Sequence, residues 1–580
     1  MCGIFGYTGE KSAAPLLLDG LRALEYRGYD SAGIFVAGGE TCKAVGPVEA
    51  LAKKLNGNLG GSTGIAHTRW ATHGLPTERN AHPHGDCKGE IWLVHNGIIE
   101  NYKELKEKLS HKGHTFSSDT DSEVLAHCIE ENIKNGDPLE HAITTALKSV
   151  RGTYGIAVIS KREPEKIVVA RMGSPLVLGL GEGENFVASD TAAILRHTKT
   201  VVYLHDGDVA TLTPSGHRVF SIDHEVRERA QDLIEWDVEE AKKGGYPNFM
   251  LKEIMEIPEV LENSARGRIL LADGAAKLGG LSSMADELKK LKRLIIVACG
   301  SAYYAGLVGK YMLEEYANIP VEVDIGSEFR YRNARLDRGT ALLSISQSGE
   351  TADTLASIRE AKRQGLSTLG LVNVVGSTIA RETDAGVYNH AGPEIGVAST
   401  KAFVSQLEVL ALFTLYLGRG RGLSATAGEE ITKELLALPG KVRSMLARRQ
   451  DIERLAQDYA SFENILYVGR KYNMPIAFEG ALKLKEVSYI HAEGYGAGEM
   501  KHGPIAMIDE GFPTVAIVPS DSVYEKTVSN IEEIRARRGR VLAIATEGNE
   551  EIADLADDVI YIPKTLEMLS PILSVIPLQL

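Results

Sequence analysis

Beyond about residue 250 the sequence runs twice through one order of elements, and a duplicated order of that kind is compatible with few folds. The first pass reads LIIVACGS feeding a helical stretch, then VEVDIGSEF, ALLSISQSGET and STLGLVNVVGS; the second reads ILYVGRKYN, the YIHAEGYGAGE region, PTVAIVPSDS and RVLAIATEGN. Buried strands alternating with longer helices are the pattern of a parallel sheet with crossover helices. Gly300 and Gly469 stand at matching strand ends. The repeat predicts two doubly wound α/β subdomains, near 292–422 and from 464 onward, within a domain over 250–450 that includes flanking helices and a domain over 451–580.

The residues before 238 differ in texture. Short β-rich runs with glycine punctuation (GIFVAGG, EIWLVHNG, YGIAVIS, KIVVARMGSPLVLGLG, NFVASD) are broken by helical stretches near 13–26 and 119–135, which predicts one mixed, layered α/β domain over 1–238. The run EEAKKGGYPNF at 239–249 has the charge, Gly-Gly pair and proline of a connector. A chain of 580 residues is in any case too long for a single core.

A net charge of −14 argues against nonspecific nucleic-acid or anionic-membrane binding and leaves small molecules as the expected partners. Five scattered cysteines without CxxC spacing point to a reducing compartment and away from a disulfide framework or zinc ribbon. No basic segment leads into an apolar stretch at the N-terminus, and no uninterrupted apolar span crosses a bilayer's width, so a cytoplasmic protein is expected. His67, His73, His82 and His84 lack the spacing of a defined metal site, and neither metal nor cofactor is expected.

Cys2 follows Met1, and removal of Met1 leaves one residue carrying both a thiol and an α-amine. A thiol at its free pKa is only a few per cent thiolate at neutral pH, and an α-amine titrating near pH 8 can serve as its base, directly or through water. Alone, a Met-Cys start is an unremarked accident. Here it is joined by LEYRGYDSAG (24–33), HTRWATHG (67–74), HNGIIEN (95–101) and SDTDSEV (118–124). Together these segments resemble the N-terminal-nucleophile glutaminases over the whole first half.

That resemblance implies an αββα sandwich in which Cys2 is the nucleophile, and Asn96 with the Gly97 backbone N–H forms the oxyanion hole. It also implies that Arg69 grips the α-carboxylate of glutamine, Asp121 takes the α-ammonium, Thr72 and His73 complete the glutamine site, and Trp70 gates ammonia transfer. The chemistry is coherent: a preorganised donor aimed at the developing oxyanion is worth about 3 kcal/mol, and a guanidinium holds a carboxylate bidentately. The ordinary alternatives are a surface ion pair for Arg69 or Asp121 and core packing for Trp70.

In the second half, SISQSGET ends a strand and opens a helix, where free N–H groups and the helix dipole attract anions. Ser346, Gln347, Ser348 and Thr351 supply more donors than an N-cap needs, and no Walker lysine or GxGxxG accompanies them, so a sugar phosphate fits better than a nucleotide. This run, ACGS at 298–301 and EIGVASTKAF at 394–403 resemble the sugar-isomerase (SIS) domain, which adds Ser301, Val397 and Ser399 to the sugar-phosphate set. Ala302 departs from the hydroxyl that members often carry there. In the second copy Asp521 stands in the corresponding loop and would repel a phosphate.

Lys483 and Glu486 lie at i and i+3 on one helix face, which in isolation reads as an exposed ion pair. Taken whole, the chain resembles the glutamine:fructose-6-phosphate aminotransferase family. That resemblance makes Glu486 the base moving a proton between C1 and C2 of the sugar, Lys483 its assistant, and His502 the ring-opening group donated across a homodimer interface. The implied reaction hydrolyses glutamine and channels ammonia to fructose 6-phosphate, the first step of hexosamine synthesis.

Two other enzyme readings stay open at this point. One is a glutaminase serving a different acceptor. The other is glutamine hydrolysis alone, because the family's tail with its Schiff-base lysine does not follow Leu580 in this sequence. A sugar-phosphate sensor is the non-enzyme reading.

Overall fold

The structure is a computed structural model that describes residues 2–55, 59–133, 137–234, 243–332 and 336–580. It divides into two units, Met1–Lys242 and Lys243–Leu580.

In the first unit two antiparallel sheets lie face to face. The eight-stranded sheet carries Gly3–Thr8 at its centre, flanked by Asn185–Ala188 and Thr63–Arg69; the six-stranded sheet carries Ile91–Ile99 between His84–Gly85 and Gly152–Ser160. Ile4, Phe35 and Ile65 of the first sheet and Val94, Ala157 and Val169 of the second form one buried cluster, the inner layer of the sandwich. Outside the first sheet, helix Ala13–Leu24 buries Leu17, Leu21 and Leu24, spaced i, i+4, i+7 along one face. Each such leucine contributes roughly 1.5–3 kcal/mol. Outside the second, helices Tyr102–His111, Glu123–Asn132 and Leu139–Leu147 join the cluster containing Leu105, Ile129 and Ile143.

The helix expected over 13–26 stops at Leu24 and tightens into a 3-10 turn, Glu25–Arg27. The one expected over 119–135 starts at Glu123, because Asp121 turns its carboxylate onto the Ile99 N–H, 2.8 Å away, and so lies outside the helix. Residues 134 and 135 of that expected helix lie outside the described residues.

The second unit holds two five-stranded parallel sheets with one topology. Both run in the spatial order second, first, third, fourth, fifth: Val321–Ile325, Arg293–Ala298, Thr340–Ser346, Ser367–Val372, Ala385–Tyr388, and then His491–Gly496, Asn464–Gly469, Thr514–Val518, Val541–Thr546, Asp558–Ile562. A single buried cluster draws on both sheets and on helices Ser301–Ala317 and Lys401–Gly418. Helix Lys401–Gly418 is long and apolar enough by length and composition to cross a bilayer, yet Lys401, Gln406 and Glu408 interrupt it and it is 94% buried inside the protein. A helix apolar all round is the mark of a core element.

Residues 239–242 of the expected connector lie outside the described residues. Its end, Asn248, caps helix Phe249–Met255 by accepting the Leu251 N–H at 2.8 Å. Helix Arg449–Tyr459 runs across the expected 450/451 boundary, and the second sheet begins at Asn464.

Candidate active site

In the first unit the edge of the central strand brings Cys2 to Trp70 and Asn96. The Cys2 thiol accepts the Trp70 N–H at 3.3 Å, and its carbonyl accepts from Asn96 Nδ2 at 2.9 Å and from Arg27 Nε at 3.2 Å. Burial pushes the thiol up from its ordinary value, opposed by the Trp70 N–H and by the Arg69 and Arg27 charges. Because His67 Nε2 lies 3.0 Å from both the His95 carbonyl and Asn96 Oδ1, it carries the proton, and this fixes the Asn96 amide with its NH₂ toward Cys2. The Cys2 carbonyl takes one hydrogen of that NH₂.

Gly97 follows with φ +133, and a Cβ there would meet the Thr153 carbonyl oxygen at 2.1 Å, so only glycine lets the backbone turn beside Asn96. Asp121 is buried at 4% exposure and bonded to the Ile99 N–H, two residues beyond Gly97. Arg69, also 4% exposed, ends strand Thr63–Arg69, and its guanidinium holds the carbonyls of His73, Gly74 (2.9 Å) and Leu75 (3.2 Å). It thereby shapes the loop bearing Thr72 and His73. Trp70 is not core: it is 42% exposed, its ring edge-on to Tyr29 at 5.1 Å. Arg27, in an ion pair with Asp190 at 3.1 Å, and His67 are positioning residues that the sequence reading did not assign.

Three of the four histidines weighed as ligands form a buried stack instead. His67 and His82 lie face to face at 4.0 Å, and His84 meets His82 at 4.5 Å. Burial drives His67 down to about 3 and lowers His82, His84 and His95 as well. Each imidazole is neutral when folded and protonates near 6.5 when unfolded, so the unfolded state binds more protons below that pH. First-unit stability is present above about pH 6.5 and is lost as pH falls toward 3, each group adding up to ~1.4 kcal/mol per pH unit. All three tryptophans (Trp70, Trp92, Trp236) precede Lys243, where the second unit begins. Thermal melts followed by tryptophan fluorescence between pH 8 and 5 are therefore expected to show a midpoint falling below pH 6.5; a flat profile contradicts the neutral stack.

In the second unit, strand Thr340–Ser346 leads through the loop expected to hold a phosphate into helix Ala352–Arg363. Thr351 sits at the N-cap yet makes no capping bond; its hydroxyl pairs with Ser346 Oγ at 3.0 Å, and Ser346 Oγ accepts the Gly349 N–H at 3.0 Å. The Ser348 hydroxyl accepts the Glu350 N–H at 3.2 Å, and the Gln347 carbonyl accepts the Asn373 N–H at 3.2 Å. Gly349 adopts φ +66 where a Cβ would strike Ser377 Oγ at 2.0 Å. In the second copy Asp521 occupies the corresponding turn and accepts the Val523 N–H at 3.0 Å, with burial raising its carboxyl to about 6.

Lys483 is not a surface partner: it is 2% exposed, because residues far along the chain enclose it. Its ammonium lies 2.7 Å from Glu486, 3.4 Å from Glu479 and 3.1 Å from the Ser301 hydroxyl, which itself donates to Glu479 at 2.9 Å. Ser301 opens the first helix of the first repeat, and Lys483 lies in helix Met474–Ser488 of the second, so the two copies share this cluster. Glu479, wholly buried and driven up to about 7 by burial, was not assigned from sequence, although its i, i+4 spacing to Lys483 was legible. Glu486 keeps 34% of its side chain exposed, which leaves the carboxylate accessible.

Ser399 donates to the buried Glu394 at 2.9 Å, Val397 is 41% exposed, and Ala302 packs against the core. His502 is exposed at the end of Glu499–His502 and, among the described residues, makes no hydrogen bond or ion pair to Lys483 or Glu486.

An antiparallel sandwich with a half-buried thiol at a strand edge, together with two parallel sheets of one topology, the first ending in a hydroxyl-rich loop, fits a glutamine amidotransferase coupled to a phosphosugar fold. The family models agree: a glutamine amidotransferase domain matches residues 57–243 and a SIS domain matches 287–416 and 459–580. The glutamine–fructose-6-phosphate aminotransferases (isomerizing) of Chlorobaculum tepidum and Thermus thermophilus are 53% and 52% identical over all of this chain and 96% of their own lengths. The C-terminal domain of glucosamine-fructose-6-phosphate aminotransferase from Francisella tularensis is 41% identical with a TM-score of 0.56, covering 58% of this chain and 95% of that one. The chain belongs to the glutamine–fructose-6-phosphate aminotransferase family.

Proposed function

We propose that the chain hydrolyses glutamine at Cys2 and passes the ammonia to fructose 6-phosphate, giving glucosamine 6-phosphate and glutamate. The observation that carries this reading is the cluster of Ser301, Glu479, Lys483 and Glu486, built from helices of both copies, in a chain that also bears the thiol site.

In the first unit Cys2 attacks the glutamine amide, with Asn96 Nδ2 and the Gly97 N–H receiving the oxyanion. Arg69 and Asp121 select the two charged ends of glutamine, and Trp70, Thr72 and His73 line the approach. In the second unit Ser301, Ser346, Gln347, Ser348 and Thr351 hold the phosphate, and Val397 and Ser399 meet the sugar. Glu486 shuttles the proton between C1 and C2, with Lys483 beside it at 2.7 Å. His502 opens the ring from the neighbouring copy of a homodimer. Five unpaired cysteines support a cytoplasmic location. The full-length likeness to aminotransferases favours the complete reaction over glutamine hydrolysis alone.

The test is transfer of label. With amide-¹⁵N glutamine and fructose 6-phosphate, the amino sugar is expected to carry the label and glutamate to form in equal amount. Glutamate without labelled amino sugar refutes the transferase.

A further inference from the structure

A second constellation lies in the first unit, away from the thiol. Cys87, His114, His127 and Glu130 each turn one ligand atom to a common centre, all within 4.8 Å of one another. Cys87 Sγ is 3.6 Å from His114 Nδ1 and 3.4 Å from His127 Nδ1; the two Nδ1 atoms are 3.3 Å apart; Glu130 Oε2 is 3.1 Å from His114 Nδ1 and 3.5 Å from His127 Nδ1. The edges of a tetrahedron around zinc, at its usual bond lengths to nitrogen, oxygen and thiolate sulfur, are about 3.3–3.8 Å.

Each ring also has a carboxylate on its outer face. His114 Nε2 lies 3.2 Å from the Glu131 carboxylate, and His127 Nε2 faces the Glu123 carboxylate at 3.6 Å. Glu130 faces both Nδ1 atoms, so carboxylates flank each ring on both sides; a dication at the centre would draw the Nδ1 lone pairs inward and leave each ring's proton on Nε2, toward Glu131 and Glu123. Two imidazole lone pairs, a thiol sulfur and a carboxylate oxygen then converge on one point, and a carboxylate behind each ligating ring is the usual outer support of a zinc histidine. We propose that these four side chains form a structural zinc(II) site. One thiolate and one carboxylate balance the dication, so the closed site is neutral even though His127 is only 1% exposed.

The earlier expectation of no metal rested on other histidines, and it is replaced here by residues the sequence scatters: Cys87 stands 27 residues before His114 and 40 before His127. The site would tie the turn at Cys87 and the segment after helix Tyr102–His111 to helix Glu123–Asn132. Glu123, behind His127, also accepts the backbone N–H groups of Ser117 and Ser118, both at 2.7 Å, and so extends the brace toward the segment bearing Asp121.

The test uses the full chain. As purified it is expected to hold one zinc per chain by elemental analysis, and the chelator-stripped protein should take up one cobalt(II) with a thiolate-to-metal charge-transfer band and tetrahedral d–d bands. Cys87→Ser should abolish the charge-transfer band, and Glu131→Gln, outside the ligand set, should weaken zinc affinity roughly 10–100-fold. Circular dichroism of both variants checks that they fold. Absence of the thiolate band in the parent, or zinc affinity within twofold of the parent in Cys87→Ser, overturns the proposal.

Discussion

In Cys2→Ala, ammonia release from glutamine is expected to fall by roughly 10⁴–10⁶-fold, the scale on which removal of a covalent nucleophile acts. Fructose 6-phosphate, whose proposed ligands all lie in the other unit, should bind within about twofold of the parent by calorimetry. The expectation rests on how the thiol is held. Its sulfur accepts the Trp70 N–H, and its carbonyl is fixed by Asn96 and Arg27. Alanine deletes the nucleophile without disturbing that carbonyl, so the loss reports chemistry rather than unfolding. Ammonia release within tenfold of the parent would assign the nucleophile elsewhere.

The second large effect is expected from Glu486→Gln. A positioned general base contributes about 10²–10⁴-fold, and formation of the amino sugar should fall by that amount while glutamine hydrolysis measured without sugar changes less than twofold. Glutamine keeps the shape and can still meet Lys483, so phosphate binding should persist and the loss should appear in kcat rather than KM. Lys483→Met is a poorer probe. It leaves Glu479 buried without its cation, and breaking a buried pair costs about 3–5 kcal/mol, which confounds activity with folding. A Glu486→Gln enzyme with parental kcat would remove the proton shuttle from this residue.

The sequence made legible whatever depends on neighbours along the chain. The alternating runs located the parallel strands of both repeats, and the i, i+3 spacing put Lys483 and Glu486 on one face. It could not reveal that Lys483 is buried, because Ser301, which helps enclose it, lies 182 residues away. The same limit hid His67 as the residue that orients Asn96, since that contact forms only when strand Thr63–Arg69 meets the other sheet. It also hid the cluster at Cys87, of which only the His127/Glu130 pair on one helix turn was readable in advance. Helix limits slipped for a local reason: Asp121 and Glu123 bond backbone N–H groups outside the helix, a competition that apolar periodicity does not register.

The shared strand order of the two parallel sheets has a consequence for redesign. Under the proposed assignment the two copies of this fold divide the site: the first brings the Ser346–Thr351 loop, and the second sets Asp521 in the matching turn and brings Lys483 and Glu486. Ser301 of one copy and Lys483 of the other are in direct contact, so a substitution at either is felt by both. Attempts to redirect this chain toward another sugar must therefore redesign both copies together.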